Sequence, residues 1–146
     1  MRRGCVFTIT ILSAIVLVLS VLFYLFVWPE RKVLGTSSFA AALEYALGEY
    51  KKDQGVYPET NDNAKVMEAL YGANPRKKVY LKGLESVMRD GEITDFWKVP
   101  LRFEIPPAGS DEKPKVYSAG PNKTFGDEDD ITSEPYKIDM EKKNAK

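Results

Sequence analysis

The residues best suited to chemistry in this chain lie near its C-terminal end, where Asp127, Glu128, Asp129 and Asp130 follow one another. Four adjacent negative charges repel unless water or a cation screens them. Calcium suits such a loop, because it takes about six to eight oxygens from carboxylates, amide side chains and backbone carbonyls. The spacing is not that of an EF-hand, and a solvated acidic turn accounts for the same charges. Elsewhere the choices narrow quickly. Histidine is absent and Cys5 is the single cysteine, which excludes Ser/His/Asp and Cys/His catalysis and every His-ligated metal. Glu92, Asp95 and Glu104 are carboxylates of the kind a glycosidase pair uses, but such a pair needs a cleft and one carboxyl of raised pKa. So small a head leaves little room for one, and no enzyme is expected. Basic Arg76, Lys77 and Lys78 read as a solvated turn, or as a contact for an acidic face of a neighbouring subunit around Glu44 and Glu49.

What positions these groups begins with the stretch from Cys5 to Trp28, CVFTITILSAIVLVLSVLFYLFVW, which carries no charge. At ~1.5 Å of rise per residue it makes a helix of roughly 36 Å, against about 30 Å of bilayer hydrocarbon. It is therefore read as a transmembrane helix. The hydroxyls of Thr8, Thr10, Ser13 and Ser20 can bond back to their own helix, and Tyr24 and Trp28 suit an interfacial belt. Arg2, Arg3 and the terminal amine outweigh Glu30, Arg31 and Lys32 in positive charge. The positive-inside rule then gives a single pass of the inner membrane, with a cytoplasmic N-terminus and residues 29–146 as a periplasmic or otherwise extracytoplasmic head. A cleaved secretory signal would have an apolar core of ~7 to 15 residues and a small-x-small site, whereas Phe23 to Trp28 is bulky throughout. Lipoprotein processing at Cys5 lacks its apolar, small approach. Removing Arg2 and Arg3 from 21 basic residues leaves 19 against 21 acidic ones, a net −2 beyond the span, which offers nothing to nucleic acid. Without a second cysteine the head is held by packing or by a bound ion.

Within the head, Pro29 reads as a kink, Gly35 as a loosening and Thr36, Ser37 and Ser38 as N-cap oxygens. Phe39, Leu43, Ala46, Leu47 and Tyr50 then recur at spacings of three and four, predicting an amphipathic helix to about Asp53 that Gly55 and Pro58 close. A second helix is predicted from about Asn63 to Tyr71, with Asp62 or Asn63 as cap and Gly72 as stop. Lys77 to Leu84 is ambiguous between strand and irregular chain, and Asp90-Gly91 is a turn. Leu101 to Ile105 alternates as a half-buried strand, Lys115 to Ser118 is its hairpin partner, and Tyr136 to Ile138 is a third, edge strand. Lys142 to Lys146 is a frayed tail. The fold class is α+β, a long N-terminal helix laid on a small antiparallel sheet of about three strands. The expected core is Phe39, Leu43, Leu47, Tyr50, Val66, Leu70, Trp97, Leu101, Phe103 and Val116.

In order, the chain presents a span, an amphipathic helix ending Gly55-Val56-Tyr57-Pro58, the segment NPRKKVYL, then Asp95-Phe96-Trp97-Lys98-Val99-Pro100-LRFEI and finally VYSAGPNKTFGDEDDI. This order resembles the major pseudopilin of type II secretion, general secretion pathway protein G, and its type IV pilin-like relatives, over nearly the whole chain. The family's motifs look like GxYP, D-P-W-G-x-P and S-x-G-x-D-G followed by D-D-I. The resemblance implies a pilin-like fold, assembly with other pilin-like subunits into a pseudopilus that supports protein export, and calcium where the acidic loop folds back on the strand edge. Carried over by position, Asn122 stands for the first aspartate and Asp130 for the one before the isoleucine. Asp127, Ser118 and the carbonyl of Val116 complete the implied calcium set.

The departures matter as much. Met1-Arg2-Arg3-Gly4 is a short basic leader that implies a prepilin peptidase cut between Gly4 and Cys5. The family continues Phe-Thr-Leu-x-Glu after that glycine, yet here Phe7-Thr8-Ile9 lies two positions late and the first carboxylate is Glu30. That glutamate is thought to pair with a neighbour's terminal amine inside lipid, where an unpaired charge is expensive, and this chain cannot make the contact. Asn122 loses a charge, which weakens calcium. Phe96 stands for proline and Lys98 for glycine, changing the turn while leaving Trp97 as a core anchor. Two alternatives stay open: a membrane-tethered binding module that recognises an extracytoplasmic partner without polymerising, and a subunit of a type IV pilus.

Overall fold

The computed structural model describes residues 2–84 and 87–135, with side chains from Ile11 onward apart from Phe26. Tyr136 to Ile138, expected as an edge strand, and the tail after them lie outside the described residues. The chain divides into two compact units, Met1–Val33 and Leu34–Lys146.

The first unit is helical. Helix α1, Arg2–Leu22, has Gly4 and Cys5 within its opening turns. It passes into a single π turn, Phe23–Val27, closed by the Trp28 N–H donating to the carbonyl of Phe23 five residues back. Helix α2, Trp28–Gln54, follows directly. Pro29 has no N–H to give, and a wide turn just ahead of it is one way for a helix to absorb that loss. The helix therefore neither stops at Pro29 nor restarts at Thr36, as the proline and hydroxyl signals suggested. Large apolar side chains on α1 stand uncovered by protein, Leu12 at 62% and Leu17 at 67% exposure. One N-terminal helix is long and apolar enough to cross a membrane, consistent with a single-pass membrane protein.

The second unit is the head, with its core along the rest of α2. Ala40, Leu43, Ala46, Leu47 and Tyr50 are buried against Val66, Met67 and Leu70 of helix α3, Asn63–Leu70, and against Ile93, Leu101, Phe103 and Val116. The 3–4 spacing on α2 places that stripe on one face. Gly35 lies inside the helix because the Phe96 ring packs on it; a Cβ there would meet Phe96 Cε2 at 2.8 Å. Thr36 and Ser37 are buried helix residues rather than caps. Asp62 caps α3, its carboxylate accepting from the Lys65 N–H at 3.0 Å.

Asn63, buried at the first turn of α3, joins that helix to two other segments. Its amide donates to the carbonyls of Ile93 and Leu101 at 3.0 and 2.8 Å, and its oxygen accepts from the Ile93 N–H at 2.8 Å. Beyond α3, the Asn74 amide donates to the carbonyls of Ala69 and Lys78, both at 2.7 Å. Lys77 to Leu84 has no strand; the Tyr80 N–H instead donates to the Leu70 carbonyl at 2.8 Å.

Among the described residues the strands form two antiparallel two-stranded ribbons. In the first, β1 (Met88–Arg89) pairs with β2 (Glu92–Ile93) across Asp90-Gly91. Both turn residues have positive φ, 53° and 85°, the conformation a tight hairpin favours and Asp-Gly supplies. In the second, β3 (Arg102–Glu104) pairs with β4 (Lys115–Tyr117), Phe103 opposite Val116. Isolated bridges Thr94↔Pro100 and Ser118↔Ile131 extend the pairing. The architecture is α+β. Trp97, expected in the core, is only half-buried, and Phe39 packs at its margin.

Candidate functional site in the acidic loop

The segment from Ser118 to Ile131 leaves the end of β4 and returns to it, because Ser118 and Ile131 exchange both backbone hydrogen bonds at 2.9 and 3.0 Å. The return needs Gly120. Its φ is 61°, and a Cβ would lie 2.1 Å from the Asp129 carbonyl oxygen, so a glycine alone lets the two strands of the loop touch. From the other side, the Arg102 guanidinium sits 4.0 Å from the centre of the Phe125 ring, a cation over an aromatic face that holds the loop to β3.

Beneath the loop lies a buried carboxylate. Asp95, 8% exposed, accepts at Oδ1 from the backbone N–H groups of Trp97 and Val99, at 2.8 and 2.9 Å. At Oδ2 it accepts from Ser118 Oγ at 2.6 Å, and that hydroxyl accepts in turn from the Gly120 N–H at 3.1 Å. The loop from Asp95 to Val99 is thus pinned by its aspartate. Lys98 has φ 66°, the region glycine occupies without strain, so the lysine is held there at a cost in backbone strain.

Within the loop the carboxylates serve the backbone. Asp127 Oδ1 accepts from the Asp129 N–H at 3.0 Å and its Oδ2 from the Asn122 amide at 2.7 Å. Asn122 Oδ1 accepts from the Thr124 N–H at 2.7 Å, and Asp130 Oδ2 from the Gly126 N–H at 2.8 Å. Asp130 Oδ1 is buried without a hydrogen-bond partner. Of the residues named for calcium, Ser118, Asn122 and Asp127 thus each take part in local hydrogen bonds, and Val116 is fixed through its N–H, which donates to Glu44 Oε1 at 3.3 Å. Among the described residues no group of three or more His, Cys, Asp or Glu is placed to hold a metal. Within the set, Asp130 Oδ1 is the buried carboxylate oxygen without a hydrogen-bond partner.

Other residues singled out in the sequence are likewise engaged within the head. Glu44, read as lying on the solvent side of α2, reaches β4 through the Val116 N–H and accepts from Ser133 Oγ at 2.7 Å. It also lines an open cavity of about 590 Å³ with Pro114, Lys115, Tyr117 and Thr132. Glu49 pairs with Lys52 at 3.6 Å. Lys78 pairs with Asp53, while Arg76 and Lys77 stand exposed beside it. The Asp53 carboxyl is held below its ordinary range by the hydrogen bond from Lys78, and the Lys78 ammonium is raised by the same bond. Glu104 accepts from the Tyr117 hydroxyl at 3.0 Å; burial first, then that carboxylate, pushes the phenol up. Glu92 sits opposite Arg89 in the first ribbon.

Sequence reading missed the roles of Asp95, Asn63 and Glu44. An aspartate followed by Trp97 and Val99 at two and four residues has the spacing of a side chain capping its own loop, which was the available signal for the first; a lone asparagine or glutamate on a helix carries none. Compared with protein-family models, with curated proteins and with solved structures, the chain matches none.

Proposed function

We propose that this chain is a pilin-like subunit of the pseudopilin kind, held in the membrane by α1 and assembling with copies or homologues into a short filament that supports protein secretion. One observation carries the reading: the uncharged stretch Cys5 to Trp28 leads in sequence, through α1 and the π turn, into α2, whose Leu43, Leu47 and Tyr50 form the spine of a small α+β head. The acidic loop folded back on Ser118 supports it, as does the order of motifs along the chain. Such a subunit needs a smooth apolar rod and a compact head, and no active site. A bifunctional crosslinker applied to cells making the full chain tests this. A ladder of dimers, trimers and larger species supports the filament; a monomer band alone contradicts it.

The missing carboxylate before Glu30 favours a second reading, a membrane-tethered module that binds an extracytoplasmic partner as a monomer; the same experiment separates the two. A type IV pilus subunit would give the same ladder in a surface fibre. Cleavage by a prepilin peptidase belongs to the filament reading, and mass spectrometry of the membrane-extracted protein beginning at Cys5 supports it, whereas a start at Met1 removes it. Calcium enters the reading only if Asn122 and Asp127 release one another to join Asp130. A rise in melting temperature of the full chain in millimolar calcium supports that step by linkage, and no change removes it.

A further inference from the structure

Thr36 is 1% exposed, and its Oγ1 is buried without a hydrogen-bond partner. A threonine inside a helix ordinarily gives its hydroxyl to the carbonyl one turn back, and Thr36 does not. A buried hydroxyl left in that state is a net cost to the fold. The hydroxyl has open space beside it, because Thr36, Thr94 and Asp95 line a cavity of about 40 Å³ whose other walls are apolar, among them Phe39, Phe96 and Leu101. The two rings meet edge-on at 6.0 Å, and Phe96 is braced on Gly35. Packing therefore holds this wall in place. The whole cavity belongs to the head.

The chemistry of the lining decides the occupant. Apolar cavities stay dry, whereas a space above roughly 10–15 Å³ with two to four polar partners takes water. Here donors and acceptors balance. Asp95 accepts from the N–H groups of Trp97 and Val99 and from Ser118 Oγ, three bonds where a carboxylate takes about four. All three donors are neutral, so one more donor to this buried charge is favourable. Thr94 Oγ1 donates to the Val87 carbonyl at 3.0 Å and keeps its lone pairs for a donor. Thr36 has its O–H to give. One water meets all three needs: its two protons go to Asp95 and Thr94 Oγ1, and its oxygen accepts from Thr36 Oγ1. A calcium-like cation asks for about six oxygens or more, which three side chains do not supply.

We infer that a single internal water is bound among Thr36, Thr94 and Asp95, joining α2 to the buried carboxylate beneath the acidic loop. Thr36→Val keeps nearly the same shape and removes the hydroxyl. With water bound, the variant leaves that molecule short of one partner, and the urea midpoint of the full chain in detergent micelles falls below that of the native chain. In a dry cavity the same change removes an unpaired hydroxyl, so a midpoint that stays or rises overturns the site. A crystal structure of the full chain reads the occupant directly. A solvent peak about 2.5–3.0 Å from both Thr36 Oγ1 and an Asp95 carboxylate oxygen is expected. A cavity without that peak, or a Thr36 hydroxyl turned back onto its own helix, overturns the inference whatever the midpoint does.

Discussion

Ser118 at the end of β4 donates a 2.6 Å hydrogen bond to Asp95 Oδ2, across 23 residues of sequence and in the buried interior of the head. The carboxylate that receives it also fixes the turn from Asp95 to Val99, so one side chain connects the exposed aromatic loop to the root of the acidic loop. Asp95→Ala leaves the Ser118 hydroxyl and two backbone N–H groups without their acceptor. A loss of about 2–4 kcal/mol is expected, measured by chemical denaturation of the full chain in detergent micelles, with Ser118→Ala losing less.

Asn63 is the corresponding element on the other side of the core. Its three hydrogen bonds tie α3 to Ile93 and Leu101, and replacement by alanine or leucine takes the partner from the Ile93 N–H and a donor from the carbonyls of Leu101 and Ile93, of which the latter still accepts from the Leu101 N–H. The expected loss is again about 2–4 kcal/mol, while Asn61→Ala at the exposed Ile105 N–H costs about 1 kcal/mol or less.

Gly120→Ala tests the close approach of the acidic loop. With the Asp129 carbonyl 2.1 Å from the new Cβ, the Ser118–Ile131 pairing must open. Amide exchange at Ser118 and Ile131 should accelerate in this variant before the rest of the head is affected; unchanged protection there would show that the loop does not close on Gly120.

Lys98→Gly removes a side chain from a left-handed backbone position. Relief of strain of about 1 kcal/mol outweighs the entropy glycine adds to the unfolded chain, so a higher denaturation midpoint is expected.

The Asp53–Lys78 pair sets a pH dependence at both extremes. Because the folded Asp53 carboxyl lies below its unfolded value, its contribution is present above the ordinary carboxylate range and is lost as pH falls through the folded value. Lys78 lies above its unfolded value, so its contribution is complete below the ordinary lysine range and disappears as pH rises past it. Both groups are exposed to solvent, so the effect should shrink with salt. In Lys78→Gln, the Asp53 carboxyl followed by NMR should titrate at a higher pH; an unmoved titration would show that the pair does not form in solution.

Much of the architecture is legible in the residues because it rests on periodicity. The 3–4 spacing from Phe39 to Tyr50, the alternation of Leu101-Arg102-Phe103-Glu104 and the Asp90-Gly91 turn each encode a local geometry, and each is present. What fails are inferences from single breakers and single large side chains. Pro29 and Gly35 read as interruptions, yet a π turn absorbs the first and the Phe96 ring requires the second. Trp97 reads as a core anchor by size, but Asp95 holds the loop through hydrogen bonds that composition does not reveal. The acidic run was legible as a loop, whereas its close approach to Gly120 and the pairing of Asn122 with Asp127 depend on how the loop closes, which composition does not show.

We propose that the N-terminal apolar helix both anchors the head and packs it beside its siblings. The most direct measurement is crosslinking in intact membranes of the native chain against a variant whose residues 5–28 are replaced by an unrelated apolar span. A ladder from the native chain that collapses to monomer in the exchanged one is the expected result. A monomer band from both, or an equal ladder from both, would contradict the claim.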